Sequence, residues 1–256
     1  MSKNKSIDEI RNHKNKSISI LDDYLNDLLS EDPKKADLLA YWLHSYTNYL
    51  KFEKRFDPKR NKNYERGDIV CVDLGFNIGS EHGGRHYAVV LDNKNQHASP
   101  VVTIIPLSSS DGNDIHPSSV YLGDDIYQKV SAKIKGIRQT YNIEQRELSE
   151  LQSTIQALLS ADSADEKQIA TAQANRALIA TKTEELKSKQ ADLAKVQNEI
   201  RKMKSGSVAL IGQITTISKI RIIDPRDIHG ALNGIKLSPS NLDAINAKIR
   251  SLYLHE

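Results

Sequence analysis

The polar and apolar positions of this chain change period near Arg66 and again near Asp124, and return to the earlier pattern near Gly206. Over residues 1–60 the period is helical. Ser6-Ile-Asp-Glu9 fits a capping box, and Ile7, Ile10, Leu21, Tyr24, Leu25 and Leu28 follow a helical spacing that is less clear across the Lys/Asn-rich segment between them. Asp32-Pro33 reads as an N-cap with proline at the first helical position. It opens a helix to about Phe52 that carries Leu38, Leu39, Trp42, Leu43, Tyr46, Tyr49 and Leu50, an apolar and aromatic side suited to core or interface packing. Arg55 to Tyr64, polar and basic, reads as a linker.

From Arg66 the pattern is that of short strands. Ile69 to Leu74 and Tyr87 to Leu91 are apolar runs joined by a glycine-rich loop, Gly75 to Gly84. A polar connection leads to Val101-Val-Thr-Ile-Ile-Pro-Leu107, and His116-Pro-Ser-Ser-Val-Tyr-Leu122 reads as a fourth strand closed by Gly123. Short strands parted by turn signals predict a small, strongly bent antiparallel sheet or barrel.

At Asp124 the period becomes that of a heptad seam. Val130, Ile134, Ile137, Tyr141, Leu148, Leu151, Ile155 and Leu158 recur at 4,3 spacing, interrupted at Glu144. Ser160 to Glu166 reads as a turn, with Ser163 and Glu166 as a capping box. A second arm from about Ala164 to Lys204 keeps Ile169, Ala172, Ile179, Leu186, Leu193 and Ile200 near the seam, with Arg176, Thr183, Gln190 and Gln197 interleaved. Two such arms predict an antiparallel helical hairpin about 50–60 Å long at 1.5 Å per residue. Its two ends lie side by side, so it can be inserted into a sheet without tearing it. The polar seam residues suggest room for a further helix, from a second subunit or a partner.

The strand pattern resumes over Ser207 to Ile217 and Lys219 to Ile223, ends at Asp224-Pro225, and is followed by an amphipathic helix with Leu242, Ile245, Ile249 and Leu252 on one side, capped by Ser238 or Ser240. The fold class expected is α+β. It is divided into an N-terminal helical extension (1–60), a sheet or barrel built from 66–123 plus 206–256, and an inserted hairpin (124–205).

Composition narrows the function classes only a little. With 256 residues the chain can form one large domain or two modest ones. No run approaches the ~18–20 apolar residues of a membrane span, and the start of the chain is polar, so a cytoplasmic protein without a membrane partner is expected. The net charge of +3 does not indicate a nucleic-acid partner, since residues 61–123 plus 206–256 carry 10 basic and 11 acidic residues. Any such face must come from local arrangement. The single cysteine, Cys71, lies in an apolar strand and reads as a buried, inert thiol.

The chemistry concentrates around the glycine-rich loop, where Ser80, Glu81, His82, Arg85 and His86 stand between two apolar runs that need none of them to fold. The loop matches neither dinucleotide nor P-loop glycine spacing, which argues against a nucleotide cofactor. His82, His86, His97 and His116 fall close together, but their spacings match no zinc pattern and only one thiol is present, so no metal or cofactor is expected.

In order along the chain, Arg66-Gly-Asp-Ile-Val-x-Val-Asp-Leu, Gly79-Ser-Glu-x-Gly-Gly84, Ala88-Val-Val, Thr103-Ile-Ile-Pro-Leu-Ser-Ser and Ser207-Val-x-Leu-Ile-x-Gln-Ile-x-Thr-Ile217, then the C-terminal helix, resemble the MazF/PemK (Kid-type) toxins. These are small endoribonucleases that cut messenger RNA. The resemblance implies an SH3-like barrel, here interrupted by the hairpin, and a homodimer that binds single-stranded RNA and a cognate antitoxin or other regulatory protein. It also implies metal-independent cleavage in which the 2′-OH attacks phosphorus to give a 2′,3′-cyclic phosphate and a free 5′-OH.

Active family members read Gly-Gly-x-Arg-Pro, whereas Gly83-Gly-Arg-His-Tyr places His86 at the arginine's site. Imidazole can take a proton from a ribose hydroxyl and return one to the leaving oxygen. By this resemblance His86 is the general acid–base, Ser108 and Arg85 contact the phosphate, and Glu81 orients His86 or the 2′-OH. Ser80, His82, Ser109, Gln213 and Thr215 complete an RNA face, Thr215 standing where the family carries another arginine. The function expected is a toxin of a toxin–antitoxin or phage-defence module. The alternative is a catalytically inactive binding module that recruits a protein or RNA through its helical arms, and a third reading makes the helical additions a built-in inhibitor.

Overall fold

The computed structural model describes residues 5–159 and 166–255. Two compact units divide the chain: Met1–Phe56 with Leu74–Gly84, and Asp57–Asp73 with Arg85–Glu256.

In the first unit, α1 (Ile7–Glu31) and α2 (Pro33–Glu53) start where the caps predict. Ser6 and Glu9 form the reciprocal capping box, and Asp32 accepts from the amide of Lys35 at 3.0 Å. Leu28 and Ala36 are buried, Trp42 packs with Tyr46 and Tyr49 at centroid distances of 5.6 and 6.3 Å, and Leu21, Leu25, Leu39 and Leu43 are half-buried. Ile7, Ile10, Tyr24, Leu38, Tyr46 and Leu50 are exposed, so the apolar side read from the sequence is wider than what this unit covers.

The second unit is assembled around one strand, β3 (Val101–Ser109), which the sequence reading ended two residues early. Along one edge it pairs with β2 (Arg85–Val90), from Ile104 opposite Val90 to Pro106 opposite Ala88. Along the other edge it pairs first with β6 (Thr215–Ser218) and then with β5 (Ser207–Ala209). β1 (Ile69–Asp73) pairs with β2 and with β7 (Ile222–Asp224), and β4 (Val120–Gly123) pairs with β5, giving seven antiparallel strands. A single 3-10 turn, Lys219–Arg221, carries the chain from β6 on β3 to β7 on β1, so the sheet has to curl. The protein is thus α+β, as expected.

Alternate strand residues serve different faces. Ile69, Cys71, Val89, Ile105 and Leu107 join a core completed by Ile126, Val130 and Val196 of the inserted helices and by Ile245 of α5 (Pro239–Tyr253). Val70, Val72, Ala88, Val90 and Ile104 are equally buried on the other side, which is why the strands read as continuous apolar runs. Ser238 is the cap of α5, its side chain accepting from the amide of Asn241.

Strand boundaries differ from the sequence reading at three further places. β2 begins at Arg85, so Arg85 and His86 belong to the strand and not to the loop. His116 to Ser119 form a turn closed by the Ser119 amide on the His116 carbonyl at 2.8 Å, and β4 starts only at Val120. The apolar run 207–217 is broken by a 3-10 turn at Ile211–Gln213, which takes Gln213 off the strands.

The hairpin leaves from the paired ends of β4 and β5, where Gly123 stands opposite Ser207. Its arms are α3 (Asp125–Leu159) and α4 (Glu166–Ile200), 35 residues each and about 50 Å long. The turn and capping box expected at Ser160 to Glu166 lie outside the described residues, as do the side chains of Leu158, Ile169 and Ala172. On α3 the half-buried and buried residues follow the predicted seam from Val130 to Ile155, Glu144 included. On α4 the seam is Ile179, Lys182, Leu186, Lys189, Leu193, Val196 and Ile200, while Arg176 and Gln190 are exposed. Lys189 pairs with Glu144, and Lys182 with Glu147 at 3.4 Å. Two polar side chains of the α4 seam thus meet carboxylates across the hairpin. No described helix is long and apolar enough to cross a membrane.

Candidate active site

β2 and β3 remain paired as far as Ala88 and Pro106 and then part. Proline has no amide hydrogen to donate, and from Leu107 onward β3 pairs on its other edge with β5. The three residues of each strand beyond that rung, Arg85-His-Tyr87 and Leu107-Ser-Ser109, line a cleft of about 190 Å3. Carrying the β2–β3 register two residues on sets His86 abreast of Ser108. The root of the hairpin completes the lining with Ile126 and Tyr127 of α3 and with Lys202, Met203 and Lys204 after α4.

Arg85 and Tyr87 share a face of β2 with Cys71, which stands opposite Tyr87 on β1. Arg85 Nε donates to Cys71 Sγ at 3.1 Å. Burial pushes the thiol pKa up, against that bond, and Cys71 is only 2% exposed, consistent with an inert thiol. The Arg85 guanidinium is held more firmly charged, chiefly by this bond and also by the carboxylate of Glu199, against the cost of burial. Tyr87 Oη donates to Glu199 Oε1 at 2.7 Å, and burial, followed by that bond, raises its pKa. Lys202 Nζ donates to the other oxygen, Oε2, at 3.2 Å.

Arg85, His86, Ser108, Ser109, Lys202 and Lys204 are all among the residues that line the cleft, Arg85 and Tyr87 from the Cys71 face of β2 and His86 from the alternate position between them. An anion flanked by ribose hydroxyls suits such a set, since cationic donors match phosphate oxygens and the imidazole can exchange a proton. Of the residues singled out in the sequence, Arg85, His86, Ser108 and Ser109 are brought together here. Gln213, at the end of its 3-10 turn, and Thr215, opposite Ile104 on β6, are not among the lining residues. Ser80, Glu81 and His82 lie in the loop 74–84, within the first unit, where Asn77 Nδ2 donates to the His82 carbonyl at 2.9 Å. Gly83 is required there because a Cβ would stand 2.8 Å from the Gly75 carbonyl oxygen.

His97 Nε2 donates to the Asn61 carbonyl at 2.7 Å and His116 Nδ1 is 2.7 Å from Ser118 Oγ, and neither residue lines the cleft. Among the described residues no group of three or more His, Cys, Asp or Glu is placed to hold a metal ion.

Residues 65–161 match the model of the PemK-like, MazF-like toxin of type II toxin-antitoxin system. This segment is therefore similar to that family. The match takes in β1 to β4 and runs on into α3, whereas β5 to β7, which complete the sheet, lie beyond it. The family is one of toxins that act within type II toxin–antitoxin systems. No curated protein matches the chain.

Sequence reasoning missed Tyr127, Glu199, Lys202 and Lys204. The available signal was topological: hairpin ends that return side by side to the sheet must also stand beside whatever the neighbouring strand ends carry.

Proposed function

We propose that this chain is the toxin of a toxin–antitoxin or phage-defence module and cleaves single-stranded RNA in the cleft between β2 and β3. The observation that supports this most directly is that Arg85, His86 and Ser108 line one cleft at the splayed ends of β2 and β3. His86 takes the proton of the ribose 2′-OH as O2′ attacks phosphorus, the P–O5′ bond breaks, and the imidazolium returns a proton to the leaving 5′-oxygen. The products are a 2′,3′-cyclic phosphate and a 5′-OH. Ser108 and Arg85 hold the non-bridging oxygens. A guanidinium has five N–H donors, so the bond from Nε to Cys71 uses one and orients the others. Each step uses a group of the chain itself, in keeping with the metal-independent cleavage that the resemblance implies.

A cognate antitoxin is the regulatory partner this reading implies, and a homodimer the assembly. The test is incubation of purified protein with a defined RNA, with and without a chelator, and characterisation of both product ends. Cyclic phosphate and 5′-OH ends formed in the chelator are expected. Intact RNA at high protein concentration overturns cleavage and leaves a binding module.

A further inference from the structure

The hairpin does more than pass the cleft. Glu199, the last residue but one of α4, has a side chain only 8% exposed. Both its oxygens are used toward the cleft wall: Oε1 receives Tyr87 of β2 and Oε2 receives Lys202 of the hairpin root. Tyr87 follows Arg85 by two residues on the same face of β2, and Cys71, opposite Tyr87, accepts from Arg85 Nε at its sulfur. A buried carboxylate is expensive unless it is paired, so the cost of Glu199 is offset only while Tyr87 and Lys202 stay in place.

We infer that Glu199 is a positioning residue of the cleft, through which the inserted hairpin holds Tyr87, Arg85 and Lys202 in the arrangement that receives the RNA phosphate. This rests on the proposed function for the nature of the ligand, and on geometry for the positioning. The hairpin root is then part of the site: Tyr127 and Lys204 line the same cleft from the two arms, and moving the arms moves the wall.

The single cysteine of the chain provides a readout independent of activity. Cys71 is 2% exposed and lies under Arg85, so its modification by 5,5′-dithiobis(2-nitrobenzoate) reports loosening of the wall. Glu199→Ala is expected to speed labelling and to slow cleavage of a defined RNA, each on the order of 10-fold, since small misplacements of reacting groups carry large rate penalties. Glu199→Gln retains an acceptor for Tyr87 and is expected to restore most of both. Leu186→Ala, which opens the hairpin seam away from the cleft, is expected to label and cleave as wild type does. Should Glu199→Ala fail to fold, Tyr87→Phe removes one of the two bonds without altering the hairpin and is expected to speed labelling in the same way. If the Glu199→Ala chain labels and cleaves at wild-type rates, the positioning role is wrong while the ribonuclease reading stands. If labelling quickens but the wild-type chain leaves RNA intact, the positioning role stands and the ribonuclease reading fails.

Discussion

Ala88 and Pro106 form the last paired rung between β2 and β3, and His86 and Ser108 are the residues two steps beyond it. Both line the same cleft, and either side chain can be removed without disturbing a ladder hydrogen bond. His86→Ala is expected to lower single-turnover cleavage of a defined RNA by roughly 10²-fold or more, the scale of general acid–base catalysis. Ser108→Ala, which removes one hydrogen bond to phosphate, is expected to cost about 10-fold, near 1.4 kcal/mol. Both variants should unfold at wild-type denaturant concentrations. Wild-type cleavage by His86→Ala would falsify the assignment.

Gly206, between the hairpin and β5, lines the cleft and has no room for a side chain. A Cβ there would stand 1.8 Å from the Ser110 carbonyl oxygen, and the Gly206 carbonyl accepts from the Ser110 amide at 3.1 Å. Both close atoms are backbone, so the strand end must shift. Gly206→Ala is expected to destabilise the protein by roughly 1–3 kcal/mol in chemical denaturation, as overpacking does, and to reduce cleavage as well. An unchanged denaturation midpoint would contradict the close approach.

How much of this could be read from the chain depends on whether local or distant groups decide each feature. The caps at Ser6, Asp32 and Ser238 and the 4,3 seam of α3 were legible, because a helix end or a helix face is defined by residues within a turn or two. The resemblance and the loop chemistry led to Arg85, His86, Ser108 and Ser109. Ile179, Leu186, Leu193 and Ile200 of the α4 seam were legible as well, and Thr183 and Gln197 are half-buried beside them, but Lys182 and Lys189 were missed in favour of Arg176 and Gln190, which are exposed. Only the carboxylates of Glu144 and Glu147 on the other arm reverse that preference. The run from Ser207 to Ile217 hid its break for a similar reason, since Ile211 is buried equally well in a 3-10 turn as in a strand. Nothing local distinguishes Glu199 or Lys202 from other charges on a solvated helix; the strand that meets them is more than a hundred residues away.

Asp125, the first residue of α3, ties the hairpin to the last helix. Its carboxylate accepts from the Ser238 amide at 2.8 Å and from Asn241 Nδ2 at 3.0 Å, and pairs with Lys129 at 2.9 Å. Burial opposes its ionisation, but the Ser238 amide, Lys129 and Asn241 outweigh that and hold the carboxyl below the usual range. A carboxyl whose folded pKa is depressed contributes stability above its unfolded value, near 4, and loses it as pH falls through the lower folded value. Asp125→Asn is thus expected to lower stability at pH 7 by about 1–3 kcal/mol, with the gap to wild type narrowing as pH falls below about 4. Urea denaturation between pH 7 and 3 checks this, and a gap that widens on acidification would be the wrong sign.

Glu144 and Lys189 test whether polar seam residues stabilise the hairpin or specify it. Their side chains are 27% and 37% exposed, so the pair is neither fully solvated nor buried. Such a pair gains little Coulomb energy beyond the cost of partial desolvation, yet removing one partner leaves the other charge facing leucine and isoleucine. Lys189→Leu alone is expected to lower the thermal midpoint of the helical signal at 222 nm, by roughly 1 kcal/mol of stability. Glu144→Leu combined with Lys189→Leu should return it to wild type or above. The same double change removes the polar mark that fixes which residue of one arm meets which of the other, and uninterrupted apolar seams associate promiscuously. Sedimentation of the double variant is therefore expected to show oligomers that the wild type does not form at the same concentration. A double variant less stable than Lys189→Leu would mean that the pair contributes stability and not register.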